Sequence, residues 1–219
     1  MTDTQTLDGV LHRSGELQEA IAFIFSNAAC EEIGRGRVTL GMCDISLEHA
    51  LSLRILIGSG LPSSAIILLR PQSEALIRAT WLCYAASEEE IAAAQVPLTL
   101  ESHTADASAA RKEQSVEKML ASISRKGPAG AGRLLRRSRD RLWSGLNSYV
   151  HVGIHPLRRN EEGYPAPFII NMIKNSNAFM LLVVLVIGVF VEDEDVLAFA
   201  LSLHSKFDEI LPALEPFPE

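Results

Sequence analysis

Residues 61–87 read LPSSAIILLRPQSEALIRATWLCYAAS, and the reading of this stretch decides the fold. Ile66, Ile67, Leu68, Leu69, Leu76, Ile77, Trp81 and Leu82 cover every side of a helix, which places that helix in an interior. Pro62 suits its first turn. Pro71 has no amide hydrogen, so it kinks the helix beside Arg70 and frees the carbonyl of Ile67. Arg70, Glu74 and Arg78 stand at i, i+4 and i+8 on one stripe, with Trp81 alongside. Two readings are open. Glu74 pairs with both guanidiniums in a closed ladder, or it orients one and leaves the other for an anionic ligand. On either reading the charge is buried, and Glu74→Ala is expected to destabilise the fold by several kcal/mol.

Helical spacing continues outward in both directions, and no period-2 strand emerges. A first helix is expected over Asp8 to Glu32, broken by Gly34, Gly36 and Gly41. Asp44 or Ser46 caps the next, which ends at Gly58-Ser59-Gly60. After Glu90 the chain loosens around a short helix, Ser115 to Lys126. A longer helix runs from about Gly132 to His151, a loop covers Leu157 to Pro167, an apolar helix follows near 168–191, and a last one spans Val196 to Leu211. The uncharged run Ala178 to Val191 has 14 residues, short of the roughly 18–20 that span a bilayer. It reads as a buried central helix, with no membrane partner. The expectation is one all-α helical bundle over residues 1–219, with a looser insertion at about 87–130.

Of 219 residues, 47% are apolar, enough for a substantial core. The N-terminus lacks a basic region followed by an apolar run, so we expect no secretory signal and a cytoplasmic protein. Cys30, Cys43 and Cys83 lack metal-ligand spacing and read as buried, reduced thiols. The net charge is −7, but Arg125 to Arg141 carries seven basic residues against Asp140 alone. That local excess leaves the rest of the chain at −13. An anionic partner for one face is one reading, and a solvated helix face is the other. No P-loop, dinucleotide fingerprint or nucleophile elbow is present, which disfavours nucleotide hydrolysis, hydride transfer and serine-hydrolase chemistry; no cofactor is expected.

The segment Leu146-Asn147-Ser148-Tyr149-Val150-His151, followed by Val152-Gly153-Ile154-His155-Pro156, sets an amide and an imidazole one turn apart at a helix end. On an ideal helix Arg133 and His151 share a face, with Arg137, Asp140, Ser144 and Asn147 near the same line. Leu135, Leu142, Leu146 and Tyr149 lie opposite, toward the core. His151 reads as an imidazole favoured by the helix dipole, or as a general acid/base or phosphate contact assisted by Asn147. A metal shared by His151 and His155, with His204 or Glu74, is disfavoured because Gly153 and Pro156 interrupt the helix; no metal is expected.

Segments 61–87 and 146–157, the latter reading LNSYVHVGIHPL, resemble a family of uncharacterised bacterial helical proteins and, more distantly, the HEPN superfamily. That resemblance implies a helical bundle, often a homodimer, in a superfamily that includes metal-independent RNases of toxin–antitoxin and defence systems as well as non-catalytic members. Asn147 and His151 match the polar residue and the His of its late-helix signature, and Glu74 with Arg78 matches its upstream pair. Leu146 stands where the signature has Arg, which removes the group that would stabilise phosphorane-like charge unless Arg70 or Arg78 supplies it. The expected function is a non-catalytic or regulatory module that binds RNA or another phosphate-bearing ligand. Arg70, Glu74, Arg78, His155, Arg133 and Arg137 are its candidate contacts. A metal-independent endoribonuclease using His151 and Asn147 is one alternative. A protein partner of antitoxin or immunity type is another.

Overall fold

Pro71 leaves its mark in the structure, a computed structural model that describes residues 6–26, 28, 33–97, 99, 115–191 and 196–213. The interior helix read from residues 61–87 is two helices. They break at Leu68, whose amide bonds to the carbonyl of Ala65 at 3.0 Å. The carbonyl of Ile67, four residues before a proline, has no helical donor. In chain order the described helices are α1 (Leu7–Ser26), α2 (Arg35–Gly58), α3 (Pro62–Ile67), α4 (Leu69–Tyr84) and α5 (Glu88–Ala94). Then come α6 (Val116–Lys126), α7 (Ala131–Val150), α8 (Ile154–Glu162), α9 (Ala166–Ile187) and α10 (Val196–Lys206). Tight 3-10 turns follow at Gly188–Phe190 and Asp208–Ile210. No strand occurs among the described residues, and the architecture is the all-α bundle that the periodicity implies.

α9 is the central element: it packs on α1, α2, α4 and α10, while α2 against α4 is the most extensive pairing. Ile173, Met180, Val183, Val184 and Ile187 of α9 are fully sealed from solvent, as are Leu17, Leu53, Leu69 and Leu76 on its neighbours. Polar groups cross this core in two bonded sets. Gln72 Nε2 donates to the Ser176 carbonyl at 2.9 Å, Ser176 Oγ donates to Gln72 Oε1 at 2.8 Å, and Ser46 Oγ donates to the Gln72 carbonyl at 3.0 Å. Asn177 Nδ2 donates to Ser14 Oγ and to the Ile210 carbonyl, each at 2.9 Å. Arg54, also in the core, donates to Gln18, and burial pushes its guanidinium down to about 10.

Several boundaries differ from expectation. α1 ends at Ser26 rather than Glu32; residues 27 and 29–32, Cys30 among them, lie outside the described residues. α2 begins at Arg35, well before Asp44, so Gly36 and Gly41 are helical. Each glycine costs roughly 1 kcal/mol in a helix. Burial of Leu40 and Cys43 in the core outweighs that, since one fully buried side chain contributes about 1.5–3 kcal/mol. The break falls at Gly34 instead, whose φ of +105° suits glycine. Among its described residues, the insertion at 87–130 holds two helices, α5 with a Ser87/Glu90 capping box and α6 capped by Ser115.

The loop expected at Leu157 to Pro167 is largely helix α8, because Pro156 falls in a first turn, where its missing amide hydrogen is no loss. α9 starts at Ala166, so the length argument against a membrane span fails. Ala166–Phe190 is long enough: its most apolar 18 residues have mean hydropathy 1.9, and 56% of those 18 are buried. Asn175, Ser176 and Asn177 lie inside this helix and are buried.

α6 and α7 extend that core, burying Met119, Leu120, Ile123, Leu135, Leu146 and Tyr149 in it. They cross closely: a Cβ added at Gly132 would stand 2.9 Å from the backbone of Ser124, closer than packed atoms approach. Through α6 and α7 this arm packs back onto α3 and α4.

Candidate functional site

Three of the residues singled out in the sequence meet. Arg70 Nε donates to Glu74 Oε1 at 2.9 Å, and Arg70 Nη1 donates to Asn147 Oδ1 at 2.8 Å, linking α4 to α7. The same guanidinium stacks 4.5 Å over the ring of Trp143. The stripe is therefore half a ladder, closed onto the neighbouring helix. Its charges are only partly buried: the Arg70 and Glu74 side chains are 26% and 36% exposed, so the large penalty expected for removing Glu74 does not apply.

The remaining candidates are dispersed. Arg78 lines a separate groove of about 790 Å³ between α2, α4 and α5, with Trp81 and Met42. Arg137 lines a cavity between α7, α9 and α10. Arg133 and His151 are exposed, and the side chain of Ser144 lies outside those described. Leu135, Leu146 and Tyr149 face the core as the helical wheel requires. Among the described residues no group of three His, Cys, Asp or Glu side chains is placed to hold a metal ion.

His155 lies in a cleft of about 470 Å³ at the corner of α7 and α8. Arg141, His155, Arg158 and Arg159 line it, with Glu162 the one acid among the described residues, over an apolar floor that includes Ile66, Leu142 and Phe168. Arg159 reaches Glu162 at 3.7 Å and lies 5.7 Å from the Phe168 ring. Tyr149 stands at the inner wall. Its hydroxyl lies beside that of Tyr164, which in turn meets Ser63 Oγ at 2.6 Å. Burial, then the neighbouring Tyr164, pushes Tyr149 up to about 12, so it stays a neutral hydrogen-bonding group. Elsewhere on α7, Arg136 and Arg139 are tied to Glu117 on α6, and their hydrogen bonds hold that carboxyl below its ordinary value.

The corner itself is strained. α7 ends in a Schellman motif: the Gly153 amide bonds to the Ser148 carbonyl at 2.6 Å, and the Val152 amide to the Tyr149 carbonyl at 3.3 Å. Such a motif needs a left-handed residue after the cap, usually glycine. Here Val152 takes φ +51°, an uncommon conformation for a β-branched residue. Gly153 cannot exchange roles with it, because a Cβ at Gly153 would stand 2.8 Å from Ser148 Oγ. That hydroxyl accepts the first-turn amide of His155 at 3.1 Å and fixes α8. The result displays Val152 at 84% exposure, with Ile154 and Leu157 also exposed nearby in the chain.

Arg141, Arg158, Arg159 and Tyr149 were not among the sequence candidates. Arg141 belongs to the basic run on α7. Arg158 and Arg159 were hidden by the loop assigned to them, since a recurring face is visible only once Ile154–Glu162 is read as a helix.

One family model, described as a family of unknown function (DUF6988), matches residues 43–213, a span that contains every residue of this cleft. No curated protein and no solved structure matches the chain.

Proposed function

The chain belongs to that family of unknown function (DUF6988), and we propose that it binds RNA or another phosphate-bearing ligand in the α7–α8 cleft without turning it over. The observation that carries this reading is the lining: Arg158, Arg159 and His155, joined by Arg141, converge on one concavity, in which Glu162 is the one acid among the described residues. Guanidinium groups match phosphate oxygens in geometry and charge. The strained, outward Val152 supports it too, because backbone strain gathers at functional sites.

Asn147 supports the non-catalytic part. Its carbonyl oxygen is taken by Arg70, Leu146 occupies the signature Arg position, and the His151 side chain has no hydrogen-bond partner among the described residues. A HEPN-like, bacterial and defence-related setting belongs to the same proposal. It rests on the sequence resemblance and on the Arg70 bridge between the two resembling segments. Placement outside a membrane is likewise a proposal, supported by the buried polar residues of α9.

Fluorescence anisotropy with a labelled 12-nucleotide RNA tests the binding. The logarithm of affinity should fall linearly with the logarithm of salt concentration, and Arg158→Glu should weaken binding at least tenfold. Binding that ignores salt, or an Arg158→Glu variant that binds as the wild type does, refutes the reading.

One observation favours a metal-independent endoribonuclease instead: Arg70 brings a guanidinium to 2.8 Å from Asn147, on the helix that ends at His151. Total RNA incubated with the protein in EDTA decides between them. Cleavage abolished by His151→Ala supports the nuclease. Intact RNA supports the binding module.

A further inference from the structure

Glu162 is the residue of the α7–α8 cleft that a phosphate site does not explain. It shares the lining with His155, Arg158 and Arg159, where a carboxylate repels a bound anion. The fold does not call for it either. Glu162 is the last residue of α8, where the negative end of the helix dipole disfavours an acid. Its ion pair with Arg159, at 3.7 Å, runs in the weaker order, base before acid, between side chains 35% and 61% exposed. Arg159 in turn lies 5.7 Å from the ring of Phe168. An aromatic face, a guanidinium and a carboxylate therefore stand together in one cleft of about 470 Å³, a size usual for small-molecule sites.

We propose that the cleft takes a guanine nucleotide and that Glu162 sets the choice of base; this rests on the phosphate reading of the same cleft. His155 and Arg158 hold the phosphate, and Arg158 has no other partner among the described residues. The base lies on the floor made by Phe168 and Leu142, as unpaired bases lie on aromatic and apolar side chains. Its Watson–Crick edge meets Arg159 and Glu162. Guanine presents an acceptor, O6, and then two donors, N1–H and the N2 amino group. An arginine beside a two-oxygen carboxylate matches all three. Adenine and cytosine each set one amino donor beside a ring-nitrogen acceptor, and uracil has one N–H between two carbonyls. With those bases the second carboxylate oxygen meets no donor.

Isothermal titration of the full chain with GMP, AMP, CMP and UMP tests the proposal, with inorganic phosphate as the probe that lacks a base. GMP should bind at least tenfold more tightly than the other three nucleotides, and phosphate more weakly than all four. Glu162→Gln, at an exposed position, replaces one acceptor by a donor and should bring GMP within about threefold of AMP without weakening phosphate. A merely structural role for Glu162 would instead weaken every probe alike. Equal binding of the four nucleotides, a preference for GMP that survives Glu162→Gln, or a uniform loss in that variant overturns the base assignment and leaves phosphate binding standing. No binding of any nucleotide also overturns it. The salt dependence of binding to the labelled RNA then shows separately whether the phosphate reading falls with it.

Discussion

The bundle built from α1, α2, α4 and α9 and the arm built from α6, α7 and α8 use polar residues in opposite ways. In the bundle, Gln72, Ser176, Asn177 and Ser14 are buried and bonded to one another or to backbone. In the arm, α8 buries no residue at all, and Arg158 and His155 look outward into a cleft. Burial requires a polar group to find its partner within the protein, whereas exposure lets it wait for a ligand. Stability should therefore concentrate in the first region and recognition in the second, and substitutions can separate the two.

Leu76→Ala is the largest expected effect. It removes a side chain that is 1% exposed at the bundle centre, and should cost about 2–5 kcal/mol by chemical denaturation. A loss below about 1 kcal/mol would mean that the bundle is not the stabilising half. Val152→Gly should move the other way. It relieves a left-handed β-branched residue and should raise stability by up to about 1 kcal/mol. The same change should weaken RNA binding if the outward Val152 serves the cleft. A rise in the denaturation midpoint with unchanged affinity would show that the strain has no part in recognition. Glu74→Ala, at the seam between the regions, is the smallest: about 0–1 kcal/mol, because both partners are partly exposed and Arg70 keeps its bond to Asn147. A double-mutant cycle with Asn147→Ala checks whether the two contacts to Arg70 are independent.

The fold was legible where apolar residues recur densely. Residues 61–87 announce an interior helix and its proline break, and α9 announces itself by composition. Helix ends were less so. Gly36 and Gly41 look like breakers, yet tertiary burial overrides propensity. Gly153 interrupts the helix as its composition suggests, but the left-handed residue is Val152, and the space at Gly153 that a Cβ would need is taken by Ser148. The candidate site was legible only in part. The i, i+4 spacing of Arg70 and Glu74 predicts their ion pair. Only the packing of α4 on α7 reveals that Asn147 completes it. The convergence of Arg141 with Arg158 and Arg159 depends on a corner between two helices, and no local pattern encodes it.

The bonded pairs that α9 makes across the core also act as a key. A helix offering only leucine and valine to its neighbours can slide by one turn, about 5.4 Å, and bury nearly the same area. α9 cannot. Such a slip would separate Ser176 from Gln72, and Asn177 from Ser14 and Ile210, leaving each stranded without water. As with a single buried asparagine in a coiled coil, the polar residues trade some stability for a single register. That register sets where α4, and through Arg70 the arm, must lie.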